Sequence, residues 1–430
     1  MLAAKAFKPV CPQVGPSVPG MEVERYSEDC LYLNVWTPDA RPTAKLPVMV
    51  WIYGGNNNHG SGSASLYSGR YLAKYGVLIV TFNYRVGALG LLAHPELSKE
   101  SEHGVSGNYL LLDQVAALQW VQRNIRFFGG DPDNVTVFGQ SAGSYNISKL
   151  IVSPLATGLF RRAIGESSAD FGGTDSGEGP RSLASEEQLG VEFVSLFHVN
   201  SIAEMRRIPA DELLAVKGPD LRLNVDGYVS PKDSYELYAE HQQHPVDLLV
   251  GYTESDGFEE GPASLADFQA AVHKKYGAFA ERMLAFYPHE TLDQAKHSWT
   301  RLQTEEQFEW QAIAWARLHR ATAGSNTYLY IFTHVPPFGF YKHIGAAAHG
   351  AELGYVFGVV DSRMTREIQT YWTNFAKTGN PNGQGLPPWP AFDARQQVLD
   401  IGDTMKVVEL PHPKEYDLMD AFMASLRKRQ

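Results

Sequence analysis

Residues 135–152 read VTVFGQSAGSYNISKLIV, and this stretch decides the fold. Its first residues are apolar and β-branched, as in a buried strand, and the residues after Gly143 suit a helix. Between the two lies GQSAG, residues 139–143, which matches the G-x-S-x-G pattern of a tight strand-to-helix turn. The glycines are needed because the turn leaves no room for side chains beside Ser141. The sequence therefore predicts a strand, a sharp turn and a helix at the centre of an α/β fold.

Other short apolar runs predict the strands of the same sheet. Several of them are apolar on both faces, which is typical of strands that helices cover on both sides. We therefore expect a central, mostly parallel mixed sheet flanked by helices. The runs, with the one before the turn, are 31–36, 47–53, 77–84, 135–139, 246–252 and 327–333.

Two segments predict long helices. Residues 107–130 carry apolar side chains at helical spacing, with Asn108 placed to cap the start and Gly129 to end the helix. Residues 305–324 are rich in aromatic side chains, which favours packing in the core over lining a pocket. The polar stretch 171–188 is interpreted as a surface loop or insertion. We expect one catalytic domain over 1–430, with helical cap insertions at about 171–245 and 258–325.

The overall charge argues against binding to nucleic acid. The 430 residues include 48 acidic and 37 basic side chains, a formal net charge of -11 at pH 7, and they form no basic stripe. No apolar stretch is long enough to span a bilayer. We therefore expect a small-molecule substrate, no nucleic-acid partner and no membrane span. The sequence leaves the oligomeric state open.

The two cysteines, Cys11 and Cys30, favour one local disulfide over a redox pair or a metal site, because metal ligands usually occur closer together or in larger groups. The alternative is a pair of reduced thiols. A disulfide favours a secreted or periplasmic protein, although the N-terminus lacks the apolar core of a signal peptide. A cytoplasmic location is the alternative.

The serine at the turn predicts two chemical partners. A hydroxyl is a poor nucleophile until a base removes its proton, so a carboxylate and then a histidine are expected downstream. His349 stands out among the 14 histidines because it lies between small residues after a predicted strand. Glu254 and Asp256 both follow another predicted strand, and their positions alone do not choose between them.

Taken together, these motifs resemble the type-B carboxylesterase/lipase group of α/β-hydrolases, which includes the cholinesterases. SEDCLYLNVWTP is similar to one signature of that group, and the region around the serine is similar to its nucleophile region almost residue for residue. The resemblance spans nearly the whole chain. The matching segments are 27–38, 83–90, 107–144, 160–168, 349–358 and 371–383.

The resemblance implies a role for each matching residue. It makes Ser141 the nucleophile, His349 the general base and acid, and Asp256, directly before the matched Gly257, the carboxylate that orients the imidazole. Backbone amides of a glycine-rich loop and of the residue after the serine would bind the oxyanion of the reaction. Those donors are Gly55, Asn56 and Ala142, and the supporting side chains are Gln140, Ser167 and Glu352.

The sequence departs from the family pattern at four points. Asn56 replaces a glycine, and its side chain intrudes on the site. Asp256 replaces the usual glutamate, so its loop must come closer or its hydrogen bond to His349 must lengthen. Gln140 replaces a glutamate, which removes a negative charge near any bound cation. The small N-terminal sheet of the family is expected to be missing, in a trimmed chain or a compact variant.

The sequence thus predicts an α/β-hydrolase that cleaves carboxylic esters through an acyl-enzyme, with no cofactor and no metal ion. One alternative is a non-catalytic binding or adhesion protein of the same fold. The other is an amide or carbamate hydrolase, or a transacylase, that uses the same triad.

Overall fold

The computed structural model describes residues 4, 6–15, 20–21, 25–172, 181–257 and 261–427. Within this part of the chain, nine strands form one sheet. They are β1 (Leu33–Trp36), β2 (Leu46–Ile52), β3 (Leu78–Phe82), β4 (Gly130–Gln140), β5 (Arg162–Glu166), β6 (Asp247–Thr253), β7 (Thr327–Phe332), β8 (Gln397–Ile401) and β9 (Lys406–Glu409).

The order of the strands across the sheet is β1-β3-β2-β4-β5-β6-β7-β8-β9. All neighbours from β3 to β8 pair in parallel, and only the two edge strands β1 and β9 pair antiparallel. The predicted mostly parallel mixed sheet of an α/β-hydrolase is confirmed.

The strand order reverses beside β2, and this reversal fixes where a ligand binds. The chain runs from β2 outward to β3 on one side and returns to β4 on the other. Ligands of open α/β sheets bind at the carboxyl ends of the strands where such a reversal leaves a crevice. The segments that follow β2 and β4 therefore meet at this crevice.

Sixteen helices of the described chain surround the sheet. They are α1 (Ala88–Leu91), α2 (Pro95–Glu100), α3 (Tyr109–Asn124), α4 (Ala142–Leu150), α5 (Leu183–Ser195), α6 (Ile202–Met205), α7 (Ala210–Ala215), α8 (Ser234–Ala239), α9 (Leu265–Tyr276), α10 (Ala280–Leu284), α11 (Leu292–Thr304), α12 (Trp310–Thr322), α13 (Gly339–Ile344), α14 (Leu353–Val356), α15 (Arg363–Thr378) and α16 (Pro413–Arg427). No helix among the described residues is long and apolar enough to cross a membrane.

The predicted helix over 107–130 is α3, and a 3₁₀ turn over Ile125–Phe128 extends it to a left-handed Gly129. The prediction that Asn108 caps the start of this helix is confirmed for its position, but its side chain makes no capping hydrogen bond. Asn108 stands at the cap position in a left-handed conformation, but its amide donates to the carbonyl of Asn224 at 2.8 Å and to the carboxylate of Asp226 at 2.9 Å. Asn108 therefore ties the start of α3 to a distant loop.

The predicted helix over 305–324 joins a longer helical run. A π-helical turn, Glu305–Glu309, connects α11 to α12 without a break. Trp310 and Trp315 are fully buried, so the expected packing role is confirmed for this helix. π-helical turns inside α-helices occur frequently at functional sites.

Three strands escaped the sequence prediction because polar residues interrupt their apolar pattern. The strand β5 begins with Arg162 and ends with Glu166, although both side chains are buried. The strand β8 contains the polar residues Gln397 and Asp400, and β9 is a short edge strand that begins and ends with charged side chains.

The predicted disulfide is confirmed. Cys11 and Cys30 form a bridge, and both are buried. The predicted loop over 171–188 is partly wrong, because α5 begins at Leu183 behind a cap in which Ser182 accepts from the amide of Ser185. Residues 173–180 of that stretch lie outside the described residues.

Candidate active site

Ser141 lies at the turn between β4 and α4. Its backbone has φ 57° and ψ −127°, a conformation that residues other than glycine rarely adopt. The amide of Ser141 donates to the carbonyl of Glu166 on β5 at 2.8 Å, which holds the turn from one side. On the other side β2 comes so close that a Cβ on Gly143 would lie 1.9 Å from the carbonyl oxygen of Ile52. Only glycine fits there.

Asp256 and His349 lie on the loops that follow β6 and β7. A β-bridge between Ser255 and Ala348 continues the pairing of these strands into the loops, and the amide of Ser255 donates to the carbonyl of Ala347 at 3.0 Å. Asp256 and His349, which follow Ser255 and Ala348, therefore lie side by side. Nδ1 of His349 is 2.7 Å from Oδ1 of Asp256. The close approach of the two loops compensates for the shorter aspartate side chain.

The carboxylate of Asp256 is fully buried and oriented by several donors. Its Oδ2 accepts from the hydroxyl of Ser167 and from the amide of Thr253, both at 2.8 Å. Ser167 thus contacts the carboxylate of Asp256 directly. The structure brings Asp256, and not Glu254, to the imidazole, and the Glu254 side chain is exposed.

The other ring nitrogen of His349 is hydrogen-bonded to Gln140, and among the described residues no hydrogen bond joins it to Ser141. Nε2 of Gln140 lies 3.0 Å from Nε2 of His349. If Nδ1 carries the proton that Asp256 accepts, Nε2 has a lone pair that can accept a hydrogen bond, and the amide of Gln140 donates to it. Gln140 is 4% exposed and the His349 side chain is 23% exposed, so this contact is only partly shielded from water. Among the described residues, the hydroxyl of Ser141 has no hydrogen-bond partner.

Two aromatic side chains hold the histidine loop in place. The ring of Phe308, on the π-helical turn, lies 4.7 Å from the imidazole of His349 between centroids. The hydroxyl of Tyr341 on α13 donates to the carbonyl of His349 at 3.3 Å. The same helical run also contacts the loop of Asp256, because the hydroxyl of Thr304, the last residue of α11, accepts from the amide of Gly257 at 2.8 Å.

The loop after β2 brings the predicted oxyanion donors to the serine. A Cβ on Gly54 would lie 2.9 Å from Cβ of Ser141, so the two segments touch at this point. Gly55 and Asn56 have φ values of 102° and 53°, and a turn is closed by the amide of Asn58, which donates to the carbonyl of Gly55 at 2.9 Å. Within the described chain, the amides of Gly55 and Asn56 donate to no protein acceptor. They are therefore available to a ligand.

Two further carboxyl groups are buried behind the Asp256–His349 pair. Burial raises the pKa of Glu166 to about 8, although the indole of Trp372 donates to its Oε1 at 2.7 Å. Burial, and then repulsion by Glu166 and Asp256, raises the pKa of Glu352 well above its ordinary value. Neither oxygen of Glu352 has a hydrogen-bond partner among the described residues. Near neutral pH both glutamates therefore favour the protonated form, which avoids further negative charge beside Asp256.

A cavity of about 880 Å³ opens beside the Asp256–His349 pair. Phe340 and Ile344 form part of its apolar lining, and Arg301 is among its charged residues. In the part of the chain that the structure describes, no group of three or more His, Cys, Asp or Glu side chains is arranged to hold a metal ion.

Comparison with known proteins identifies the family. The model of the carboxylesterase family matches residues 1–419. The chain belongs to the carboxylesterase family. The predicted membership of the type-B carboxylesterase/lipase group is confirmed, and with it a serine-dependent hydrolase of carboxylic esters.

Individual relatives agree with this assignment. The carboxylesterase is 36% identical to the para-nitrobenzyl esterase of Bacillus subtilis (strain 168), over 95% of this chain and 86% of the relative. It is 34% identical to the fumonisin B1 esterase of Sphingopyxis macrogoltabida, over 87% of this chain and 73% of the relative. A solved PNB esterase structure superposes with a TM-score of 0.81 at 32% identity, over 96% of this chain and 88% of that one.

Two features of the esterase site were missed by the sequence analysis. Glu166 was not singled out, because it ends a short strand that also begins with a charged residue, and nothing in this pattern indicates that the glutamate is buried. Phe308 belongs to the helix that was assigned to core packing, and its ring contacts His349 as well. Helical periodicity alone cannot distinguish these two uses of an aromatic side chain.

Replacement of the acid should distinguish Asp256 from its neighbour. In Asp256→Asn, one carboxylate oxygen becomes an NH₂ group that cannot accept from Nδ1–H, so the imidazole loses its orienting partner. We expect kcat for p-nitrophenyl acetate to fall by about 10³- to 10⁴-fold. The matched control Glu254→Gln, two residues earlier on the same loop, should change kcat less than about threefold. The reverse pattern in steady-state kinetics would assign the role to Glu254.

Replacement of Glu166 should change how stability depends on pH. Because the pKa of Glu166 is raised in the folded protein, the folded state binds more protons than the unfolded state between about pH 4.5 and about pH 8, and stability declines across that window. Glu166→Gln mimics the protonated acid and keeps an acceptor for Trp372. Its melting temperature should equal that of the wild type near about pH 5 and exceed it near about pH 8. Equal melting curves at both pH values would contradict the raised pKa.

Proposed function

We propose that Ser141, His349 and Asp256 are the catalytic triad of this esterase. The Oγ of Ser141 attacks the ester carbonyl carbon while Nε2 of His349 takes its proton. The tetrahedral intermediate then collapses, and His349 returns the proton to the departing alcohol. Water attacks the acyl-enzyme in the same way and releases the carboxylic acid, which restores Ser141.

The observation that carries this proposal is the bond of 2.7 Å between the buried Asp256 and Nδ1 of His349, next to the strained serine turn. A carboxylate in this place holds the tautomer whose Nε2 can act as a base, and it stabilises the imidazolium that forms. Burial of Asp256 excludes water, which strengthens that interaction. Ser167 and Thr253 keep the carboxylate oriented throughout the cycle.

We propose that the oxyanion is bound by the amides of Gly55, Asn56 and Ala142. The first two lie on the loop after β2, and Ala142 opens α4, whose N-terminal amides and dipole favour negative charge. Each donor of this kind contributes about 3 kcal/mol to transition-state stabilisation. The donors act mainly in the transition state because the charge on the carbonyl oxygen develops only there.

We propose that Gln140 holds the imidazole between turnovers. Its amide occupies Nε2 of His349 at 3.0 Å, so the imidazole must exchange this partner for the hydroxyl of Ser141 before the attack. Rotation of the amide would present its oxygen instead, which can accept from the Nε2–H of the imidazolium. Gln140 can therefore pair with both protonation states, whereas a carboxylate pairs well only with the charged one.

The substrate is a small-molecule carboxylic ester. We propose one catalytic domain over 1–430, with 171–245 and 258–325 as cap insertions on the sheet. The helices α5 to α8 and α9 to α12 of these insertions follow β5 and β6. We also propose a secreted or periplasmic location, because the Cys11–Cys30 bridge is stable in an oxidising compartment.

A series of acyl chain lengths tests the proposed chemistry. Wild type should hydrolyse p-nitrophenyl acetate, butyrate and octanoate with an initial burst of p-nitrophenol that equals the enzyme concentration wherever deacylation is slow. Ser141→Ala should lower kcat by about 10⁴-fold or more, because no other group forms the acyl-enzyme. The matched control Ser153→Ala, a buried serine just beyond α4, should keep both the burst and kcat.

Other outcomes would indicate a different function or a different nucleophile. If wild type hydrolyses none of these esters, the proposal fails and a binding role for the fold is favoured. If wild type cleaves the matching anilides or carbamates faster than the esters, the triad serves another acyl-transfer reaction. If Ser141→Ala stays active, the nucleophile has been assigned to the wrong residue.

A further inference from the structure

Two asparagine side chains join the segments that carry the proposed oxyanion donors. Asn57 follows the donor Asn56 on the loop after β2, and Asn146 lies one helical turn after Ala142 on α4. The amide of Asn146 donates to Oδ1 of Asn57 at 2.9 Å, and the amide of Asn57 donates to Oδ1 of Asn146 at 3.3 Å. The two amides thus form a reciprocal pair between loop and helix.

Burial raises the free-energy cost of separating this pair. Asn146 has no exposed surface, and Asn57 is half-buried. A buried amide that loses its partner keeps the full cost of desolvation, whereas a satisfied pair does not. Replacement of Asn57 therefore leaves Asn146 buried and unpaired, so the paired state, which holds the loop to the helix, is favoured.

The loop has a conformation that needs such support. Asn56 and Asn57 have φ values of 53° and 57°, in the left-handed region that most side chains avoid. Three backbone bonds hold the loop. The amides of Asn58 and His59 donate to the carbonyl of Gly55 at 2.9 Å and 3.2 Å, and the amide of Gly87 donates to the carbonyl of Asn57 at 2.7 Å. None of these bonds connects the loop to α4. The Asn57–Asn146 pair makes that connection.

We infer that the Asn57–Asn146 pair is a positioning element that sets the distance between the loop donors, Gly55 and Asn56, and the helix donor Ala142. The inference rests on the proposed function. Because the donors lie on two separate segments, they can act on one oxygen only if the segments keep a fixed relation. Small errors of placement in a preorganised site lower the rate strongly. Asn57 and Asn146 act through those amides and need not touch the substrate.

Substitution of each member of the pair tests the inference. We expect Asn57→Ala and Asn146→Ala each to lower kcat for p-nitrophenyl butyrate by about tenfold, with KM changed less than about twofold, because the donors act in the transition state. The affinity for an alkyl trifluoromethyl ketone should fall by a similar factor, since Ser141 adds to this ketone and forms a tetrahedral oxyanion. The double variant should be no worse than either single variant.

A matched control separates positioning from general loss of stability. Asn134, on β4, bonds the side chain of Arg162 and lies outside the site. Asn134→Ala should lower the melting temperature without changing kcat or the affinity for the ketone. Asn57→Ser is a second variant on the exposed side of the pair, in case Asn146→Ala does not fold.

Three results would overturn the inference. A lower melting temperature with unchanged kcat and ketone affinity would make the pair merely structural. A raised KM with unchanged kcat would indicate direct contact with the substrate. Fully additive losses in the double variant would mean that the two asparagines act separately. If Ser141→Ala itself remained active, the proposed function would fail, which is distinguishable because the asparagine variants leave Ser141 in place.

Discussion

The site depends on one close approach, between the carbonyl of Ile52 at the end of β2 and Gly143 at the start of α4. A Cβ on Gly143 would lie 1.9 Å from that oxygen, so any side chain would separate the strand from the helix. The same contact brings the loop after β2 against Ser141, where a Cβ on Gly54 would meet the serine at 2.9 Å. This packing brings together the two segments that carry the proposed oxyanion donors.

Burial also controls the charge of the acidic side chains around the imidazole of His349. Asp256, Glu166 and Glu352 are all buried, and only Asp256 is hydrogen-bonded to His349. The raised pKa values of Glu166 and Glu352 keep these two acids largely protonated near neutral pH. The imidazole therefore faces one orienting carboxylate on one side and the neutral amide of Gln140 on the other. A neutral amide can pair with the imidazole both before and after the imidazole gains a proton.

The sequence predicted much of the fold because glycines and apolar runs are local signals. The turn over 139–143, six of the strands and the long helices α3 and α12 were predicted from composition and spacing. The strand β5 was missed because its ends are charged, and the side-chain partners of Asn108 were not predicted because they lie more than a hundred residues away. Such partners leave no pattern in the neighbouring sequence.

The sequence also predicted only part of the candidate site. The residues alone left Glu254 and Asp256 open, and only the bridge between Ser255 and Ala348 brings one of them to the imidazole. The contact from Gln140 to His349 and the pair between Asn57 and Asn146 join segments that are 209 and 89 residues apart. No periodicity reports such contacts, since they result from the order of strands in the sheet.

The central claim is that Ser141, His349 and the loop amides converge on one reacting oxygen. A crystal structure of the enzyme after reaction with an alkyl fluorophosphonate tests it most directly. We predict phosphorus bonded to Oγ of Ser141, a phosphonyl oxygen within about 3 Å of the amides of Gly55, Asn56 and Ala142, and Nε2 of His349 released from Gln140. A phosphonyl oxygen turned away from those amides, or an adduct on another residue, would contradict the account.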